Sequence, residues 1–209
     1  MNKLFFILIF SLLIIELKAQ NSVGIFENHL DVGPVINKGT AIYDNAAKVY
    51  TLTGSGENIW FKKDELHFAY KKIKGDFMLT TQLNLIGKGT DQHRKSGWMA
   101  RTSTDTSAAM VCLTLHGDGL TAFQYRKKNG INIEEIKIPI TGAEILQLER
   151  RGRSYIISVS KLSTPFWTVE VPDFDFPEDL FVGLFICSHN KNVVETGTFT
   201  NTRIFVATK

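Results

Sequence analysis

The sequence is short of cysteine, proline and any sustained helical period. Its 209 residues include 2 cysteines and 5 prolines. So few cysteines exclude a small disulfide-stapled scaffold, which carries more of them. Cys112 and Cys187 both lie in apolar, strand-like runs (MVCLTL and LFICSH), so they read as buried small hydrophobes rather than a bridge. An excess of one charge is also missing: 24 Lys and Arg stand against 21 Asp and Glu. No basic block exceeds Arg150-Arg151 with Arg153. Nucleic acid is therefore not an expected partner. There is no Asn-x-Ser/Thr acceptor for N-glycosylation. Gly-x-Ser-x-Gly, P-loop and His-Glu-x-x-His spacings are lacking too, which removes the commonest nucleophile, phosphate and zinc signatures.

A single long apolar run is present, and it lies at the start. Met1-Asn2-Lys3 precedes Leu4–Ile15, and Glu16 to Ala19 follow. This is the basic, apolar and small-residue succession of a secretory signal peptide. Glu16 and Lys18 stop the run short of the roughly 20 apolar residues that a spanning helix needs. The expectation is a cleavable leader over residues 1–19 and a mature domain over 20–209, exported to a secreted or periplasmic location. No cysteine lies near the cleavage point to take a lipid anchor, and no second run suggests a membrane span.

The remainder reads as strands and turns. Period-two runs recur at YTLTGSG, LHFAYKKI, FMLTTQLNLIG, WMARTS, AAMVCLTLHG, TAFQYRKK, EEIKIPI, ILQLERR, SYIISVSKL, FWTVEV, FVGLFICSH and GTFTNTRIFV. Glycine turns separate many of them, among them Lys74-Gly75-Asp76, Gly117-Asp-Gly119 and Arg151-Gly152-Arg153. Asn129-Gly130 predicts a type I′ hairpin, in which both central residues take positive φ. Many short strands with regular turns predict an all-β, antiparallel, two-sheet sandwich or barrel.

Strand parity points to one surface. Arg101, Cys112, Thr114, His116, Gln124, Arg126, Phe185, Cys187 and His189 have one parity in their runs. Trp98, Leu113, Leu115, Phe123, Tyr125, Leu184 and Ile186 have the other. If these runs are neighbours, the polar parities form one sheet face. Sandwich sheets commonly turn one face to solvent, but a bland face is rich in Lys and Glu. This one carries Arg, His and Gln, which fork and hydrogen-bond, and no strand residue on it is Asp or Glu.

Three stretches resemble a known family. YTLTGSGENIWFKKDELHFAYKKIKGDFMLTTQL resembles the opening of DUF1349-type concanavalin A-like (lectin/glucanase, laminin G-like) domains. RKSGWMARTSTDTSAAMVCLTLHGDGLTAFQYRKKNG resembles their central segment, and FVGLFICSHNKNVVETGTFTNTRI their closing strands. Together they cover most of the chain from about Gly39. The resemblance implies a jelly-roll β-sandwich of two antiparallel sheets, one concave. Such domains occur alone and beside polysaccharide-acting modules.

Several chemistries can be weighed on these residues. Glycoside hydrolysis needs two facing carboxylates. The nearest candidate, Asp173-Phe-Asp175, lies between Pro172 and Pro177 and reads as a connecting loop. Glu134 and Glu135 are adjacent and point to opposite faces. Three imidazoles, His116, His189 and His67, would suffice for zinc, but a hydrogen-bonded sheet face is the simpler reading, so neither a metal nor another cofactor is expected. What remains is sugar binding, in which an aromatic platform meets planar hydrogen-bonding groups. The expected ligand site comprises Arg101, His116, Gln124, Arg126 and His189, with His67 and Trp60 at its edge. Trp98 has the opposite parity from Arg101 and is expected in the core. The function expected is a non-catalytic binding module for carbohydrate. An orphan polysaccharide hydrolase or lyase and a protein-interaction module are the alternatives. The oligomeric state is left open.

Overall fold

The computed structural model describes residues 22–207, so the leader read at residues 1–19 lies outside the described residues. The described chain is all β, with no helix. Fourteen strands run in chain order: β1 (Asn28–Val32), β2 (Thr40–Asp44), β3 (Val49–Gly54), β4 (Leu66–Lys74), β5 (Phe77–Leu85), β6 (Lys95–Arg101), β7 (Met110–His116), β8 (Thr121–Arg126), β9 (Glu134–Lys137), β10 (Ile145–Arg151), β11 (Ser154–Ser160), β12 (Trp167–Val171), β13 (Asp179–Cys187) and β14 (Glu195–Val206).

They form two seven-stranded antiparallel sheets, ordered β1-β4-β13-β6-β7-β8-β9 and β12-β11-β10-β5-β14-β3-β2. This is the expected jelly-roll sandwich. Neighbours such as β4 and β13 are far apart in sequence, as Greek-key connections require. Strands β13, β6, β7 and β8 are consecutive neighbours, so the surface inferred from parity exists.

Between the sheets lies one large apolar core. The first sheet contributes Trp98, Val111, Leu113, Phe123, Val182 and Leu184, and the second contributes Leu52, Leu79, Leu148, Tyr155, Ile157 and Phe199. In the second sheet burial alternates along β3, β5 and β10, so its far face is solvated. The first sheet departs from this pattern: every residue of β6, β7 and β8 is buried. Its outer face carries a second apolar cluster that includes Phe68, Met99, Met110, Cys112, Phe185 and Cys187.

The segment between β3 and β4, residues 55–65, provides the cover. Ile59 and Asp64 on it are fully buried. It is tied down by backbone hydrogen bonds from Ile133 N to Trp60 O (3.0 Å) and from Asp64 N to Thr106 O (2.9 Å). Its first turn needs glycine. Gly56 has φ 132°, and a Cβ there would lie 2.2 Å from Glu65 O. The Gly56 carbonyl accepts a hydrogen bond from Ser188 Oγ at 3.2 Å.

One local reading is corrected. The β8–β9 connection is not a two-residue type I′ hairpin. It spans residues 127–133, and Asn129 does not take positive φ, although Gly130 does at 71°. Asn129 instead accepts a hydrogen bond from Ala109 N at 2.7 Å, and Gly130 N donates to Ser107 O, so the loop folds onto the β6–β7 connection. Lys74-Gly75-Asp76 is the expected turn, between β4 and β5, and it carries the chain from one sheet to the other.

Candidate functional site

The outer face of the first sheet is divided in two. At one end, Arg101 and Arg126 are 0% exposed. A guanidinium removed from water requires charge and hydrogen-bond compensation. Asp64, from the covering segment, supplies it: its carboxylate lies 3.2 Å from Arg101 Nη2 and 3.0 and 2.8 Å from Arg126 Nη1 and Nη2. All five N–H donors of Arg126 are used, the others going to the carbonyls of Phe61, Ala108 and Ile131. Arg101 donates to the carbonyls of Ser103 and Asp105. The two arginines therefore fasten loops across the sheet, and their complete burial keeps them from a ligand. The expectation that both line an open site is corrected, as is the expectation of a face without acids. The strands carry no facing carboxylate at this end, but the covering segment brings one.

At the other end the face opens into a cavity of about 310 Å³, lined by Asn58, Trp60, His93, Lys95, His116, Leu120, Gln124, Glu135, Lys137 and His189. Four of the seven expected residues, Trp60, His116, Gln124 and His189, meet here. His67 does not. On β4 it is opposite Ile186 of the inter-sheet core. There its Nδ1 lies 2.8 Å from Asp31 Oδ1 and its Nε2 3.1 Å from His29 Nδ1. The parity of β4 explains the difference: Leu66, Phe68 and Tyr70 take the outer face, and His67 takes the inner one.

Each wall of the cavity follows from register. Lys95 opens β6 and is opposite His116, which ends β7. Gln124 on β8 is opposite Glu135 on β9, and Gln124 Nε2 donates to Glu135 Oε2 at 2.7 Å. His189 follows β13 in a left-handed conformation, φ 57°. That is costly for a side chain with a Cβ and persists only where surroundings hold it. Its Nδ1 is 3.3 Å from Asp91 Oδ2. The Trp60 ring faces Lys95 Nζ at 5.9 Å.

The cavity is buried yet polar, and its hydrogen-bonding capacity is partly unspent. His116 is 4% exposed, and neither ring nitrogen has a partner. Gln124 Oε1 is likewise buried without one. Lys95, 2% exposed, makes only long contacts, 3.3 Å to Asn58 Oδ1 and 3.4 Å to Ile59 O. Burial, reinforced by the Lys95 charge, holds the His116 imidazole down to about 3, so it is neutral at ordinary pH, with one donor and one acceptor nitrogen. Burial also pulls the Lys95 ammonium below its usual value. Beneath the cavity Cys112 and Cys187 are free thiols, pushed up by burial to about 12 and about 11.

Lys95, Glu135 and His93 were not foreseen. Lys95 has the parity of Met99 and Arg101, a signal that extending the WMARTS run by three residues would have exposed. Glu135 and Glu134 do point to opposite faces: Glu134 accepts from Tyr125 Oη at 3.1 Å. His93 sits in a loop, where parity is silent. Its ring lies 5.3 Å from that of His189 and 6.3 Å from that of His116. His67 thus cannot complete an imidazole trio with His116 and His189. Among the described residues no group of three His, Cys, Asp or Glu is placed to hold a metal ion. The acids of 173–175 are exposed around buried Phe174. Trp98 is fully buried in the core.

No family model matches the sequence, and no curated protein matches it. Solved structures do match the fold. A functionally unknown protein from Saccharomyces cerevisiae is similar at 14% identity and TM-score 0.61, over 82% of this chain and 97% of that one. The carbohydrate binding module CBM66 from Bacillus subtilis is similar at 14% identity and TM-score 0.55, over 88% and 98%. The lectin UEA-II complexed with galactose is similar at 11% identity and TM-score 0.50, over 84% and 98%. These likenesses are likenesses of fold, the two-sheet antiparallel β-sandwich described above.

Proposed function

We propose that the protein is an exported, non-catalytic binding module of the DUF1349 type whose ligand is a carbohydrate seated in the Trp60–His116–Gln124 cavity. One observation carries this reading: buried polar atoms are left unpartnered around an accessible space. Buried polar groups in folded proteins are overwhelmingly hydrogen-bonded, and each orphan costs about 1–3 kcal/mol. His116 Nδ1 and Nε2 and Gln124 Oε1 bear that cost. A pyranose supplies what they lack, because its hydroxyls donate and accept while its C–H face suits an aromatic wall such as Trp60. The similarity of fold to a carbohydrate binding module and a galactose-bound lectin supports the reading.

The cavity suits catalysis less well. Its lining includes one carboxylate, Glu135, where glycoside hydrolysis uses two. An imidazole held near 3 is a poor general base at neutral pH. Export rests on the leader composition, and N-terminal sequencing of the secreted or periplasmic protein should begin at Gln20. The decisive experiment is a glycan array on the mature protein, followed by calorimetry with Trp60→Ala, His116→Ala and Gln124→Ala. Binding that all three variants weaken is expected. An array without any ligand, or binding indifferent to all three, overturns the assignment. Polysaccharide turnover abolished by His116→Ala overturns its non-catalytic part.

A further inference from the structure

Lys95 stands apart from the other buried cations. Arg94 has Glu195 at 2.6 Å, and Arg101 and Arg126 share Asp64. Arg150 has no carboxylate within 4.0 Å among the described residues, but it donates to three carbonyls, of Gly152, Phe176 and Glu178. Lys95 Nζ, equally removed from solvent, also has no carboxylate within 4.0 Å among the described residues; its partners are the face of the Trp60 ring at 5.9 Å and two oxygens, of an amide and a carbonyl, at 3.3 and 3.4 Å. A buried ammonium in that condition is expensive unless an anion completes it. The nitrogen lines the cavity, beside the unpartnered His116 ring that is its cross-strand neighbour.

The remaining groups say what kind of anion. Gln124 Oε1 is an acceptor without a donor, so the ligand must also bring a hydrogen-bond donor, which in a saccharide is a hydroxyl. His116 offers one donor and one acceptor, which suits a carboxylate oxygen beside a hydroxyl. The cavity's own anion, Glu135, accepts a hydrogen bond from Gln124 Nε2 at 2.7 Å, and Lys137 at the rim adds a second cation. The formal balance of the lining is one positive charge: two lysines against one glutamate. About 310 Å³ is near the lower end of the range for small-molecule pockets, room for one sugar residue of a chain.

Building on the carbohydrate reading, we propose that the residue recognised in this cavity is a uronic acid, with its carboxylate on Lys95 Nζ and His116 and a ring hydroxyl on Gln124 Oε1. The ligand chemistry is a hydroxylated carboxylate, and it has two sources: a unit of an acidic polysaccharide, or a free uronic acid.

The test is calorimetry on the mature protein with a panel of oligouronates, their carboxyl-reduced neutral counterparts, the free uronic acids, and acetate. The expected result is that an oligouronate binds at least about tenfold tighter than its reduced counterpart, since a charge-assisted hydrogen bond contributes on the order of 1.5–3 kcal/mol and 1.4 kcal/mol is tenfold. Lys95→Gln is expected to erase that preference. Should Lys95→Gln fail to fold, the melting temperature of the wild type decides: the oligouronate raises it and the reduced form does not. Equal affinity for both forms overturns the uronate assignment and leaves the carbohydrate reading standing. Silence from every saccharide, neutral or acidic, overturns both. Acetate binding as tightly as a uronate overturns the role of the hydroxyl contacts. Free uronic acid matching the oligomer assigns the site to the monosaccharide.

Discussion

Neutralising Asp64 should damage the fold severely. Its carboxylate is fully buried and accepts three hydrogen bonds, at 3.2, 3.0 and 2.8 Å, from two guanidiniums that are also fully buried. Asp64→Asn keeps the volume but leaves two positive charges facing an amide. Removing one partner of a buried ion pair costs about 3–5 kcal/mol, because the other charge is left uncompensated. Here one acid serves two cations, so the loss should not fall below that range. In a domain of this size each kcal/mol moves the melting temperature by about 2–4 °C, so Asp64→Asn should melt about 6–20 °C below wild type. Thermal circular dichroism and calorimetry of the mature protein measure this directly. Replacing the whole cluster, Asp64→Leu with Arg101→Met and Arg126→Met, should cost less than Asp64→Asn alone, because no unpaired charge remains. A fall of under about 3 °C for Asp64→Asn would refute the claim that this carboxylate anchors the covering segment.

Two further outcomes follow from groups around the cavity. The folded state holds His116 at about 3 against an unfolded value near 6.5, so the unfolded chain binds the extra proton between those limits. Stability conferred by the neutral ring is complete above pH 6.5 and is lost as pH falls toward 3, at up to about 1.4 kcal/mol per pH unit. Urea titrations at pH 7 and pH 5 should therefore differ by roughly 2 kcal/mol from this residue, and His116→Gln should shrink the difference by that amount; an unchanged pH slope contradicts the burial of His116. Cys112 and Cys187, buried and pushed up to about 12 and about 11, should resist a thiol reagent at pH 8 in the native protein and react only on denaturation; prompt labelling without denaturant would place a thiol at the surface.

The sandwich was legible because its signals are local. Twelve runs picked out by period-two alternation correspond to β3 to β14. The two strands missed, β1 and β2, are short edge strands with weak patterns: every residue of β1 but Val32 is only half-buried, and β2 has one buried residue, Ala41. β1 holds its place by pairing with β4, about 40 residues on, which local composition does not record, and β2 by pairing with its neighbour β3 across the turn at 45–48. The Asn129-Gly130 hairpin failed for a related reason. The dipeptide favours a tight turn in isolation, but here the Asn129 side chain is committed to Ala109 N, twenty residues away.

The site was legible only as far as strand parity reaches. Parity correctly put Arg101, His116, Gln124 and Arg126 on one face, and β13, β6, β7 and β8 are the neighbours that make it a single surface. It is blind to what covers that face. An Arg on a solvated sheet and an Arg beneath a loop have the same parity, and only the counterion separates them. A hint was present in the same runs: Met99, Met110 and Cys112 share the face with the two arginines. Apolar neighbours on a supposedly solvated face mean that something buries it, and a buried guanidinium then requires an acid from outside the strands. By the same logic the far end of the face is informative. Lys95 and His116 share that burial and have no acid in contact with them. The fold pairs its buried cations with Asp64 at one end and leaves Lys95 without a contacting carboxylate a few residues along the same strand. That difference between two ends of one strand, β6, separates the part of this surface that holds the protein together from the part left for a ligand.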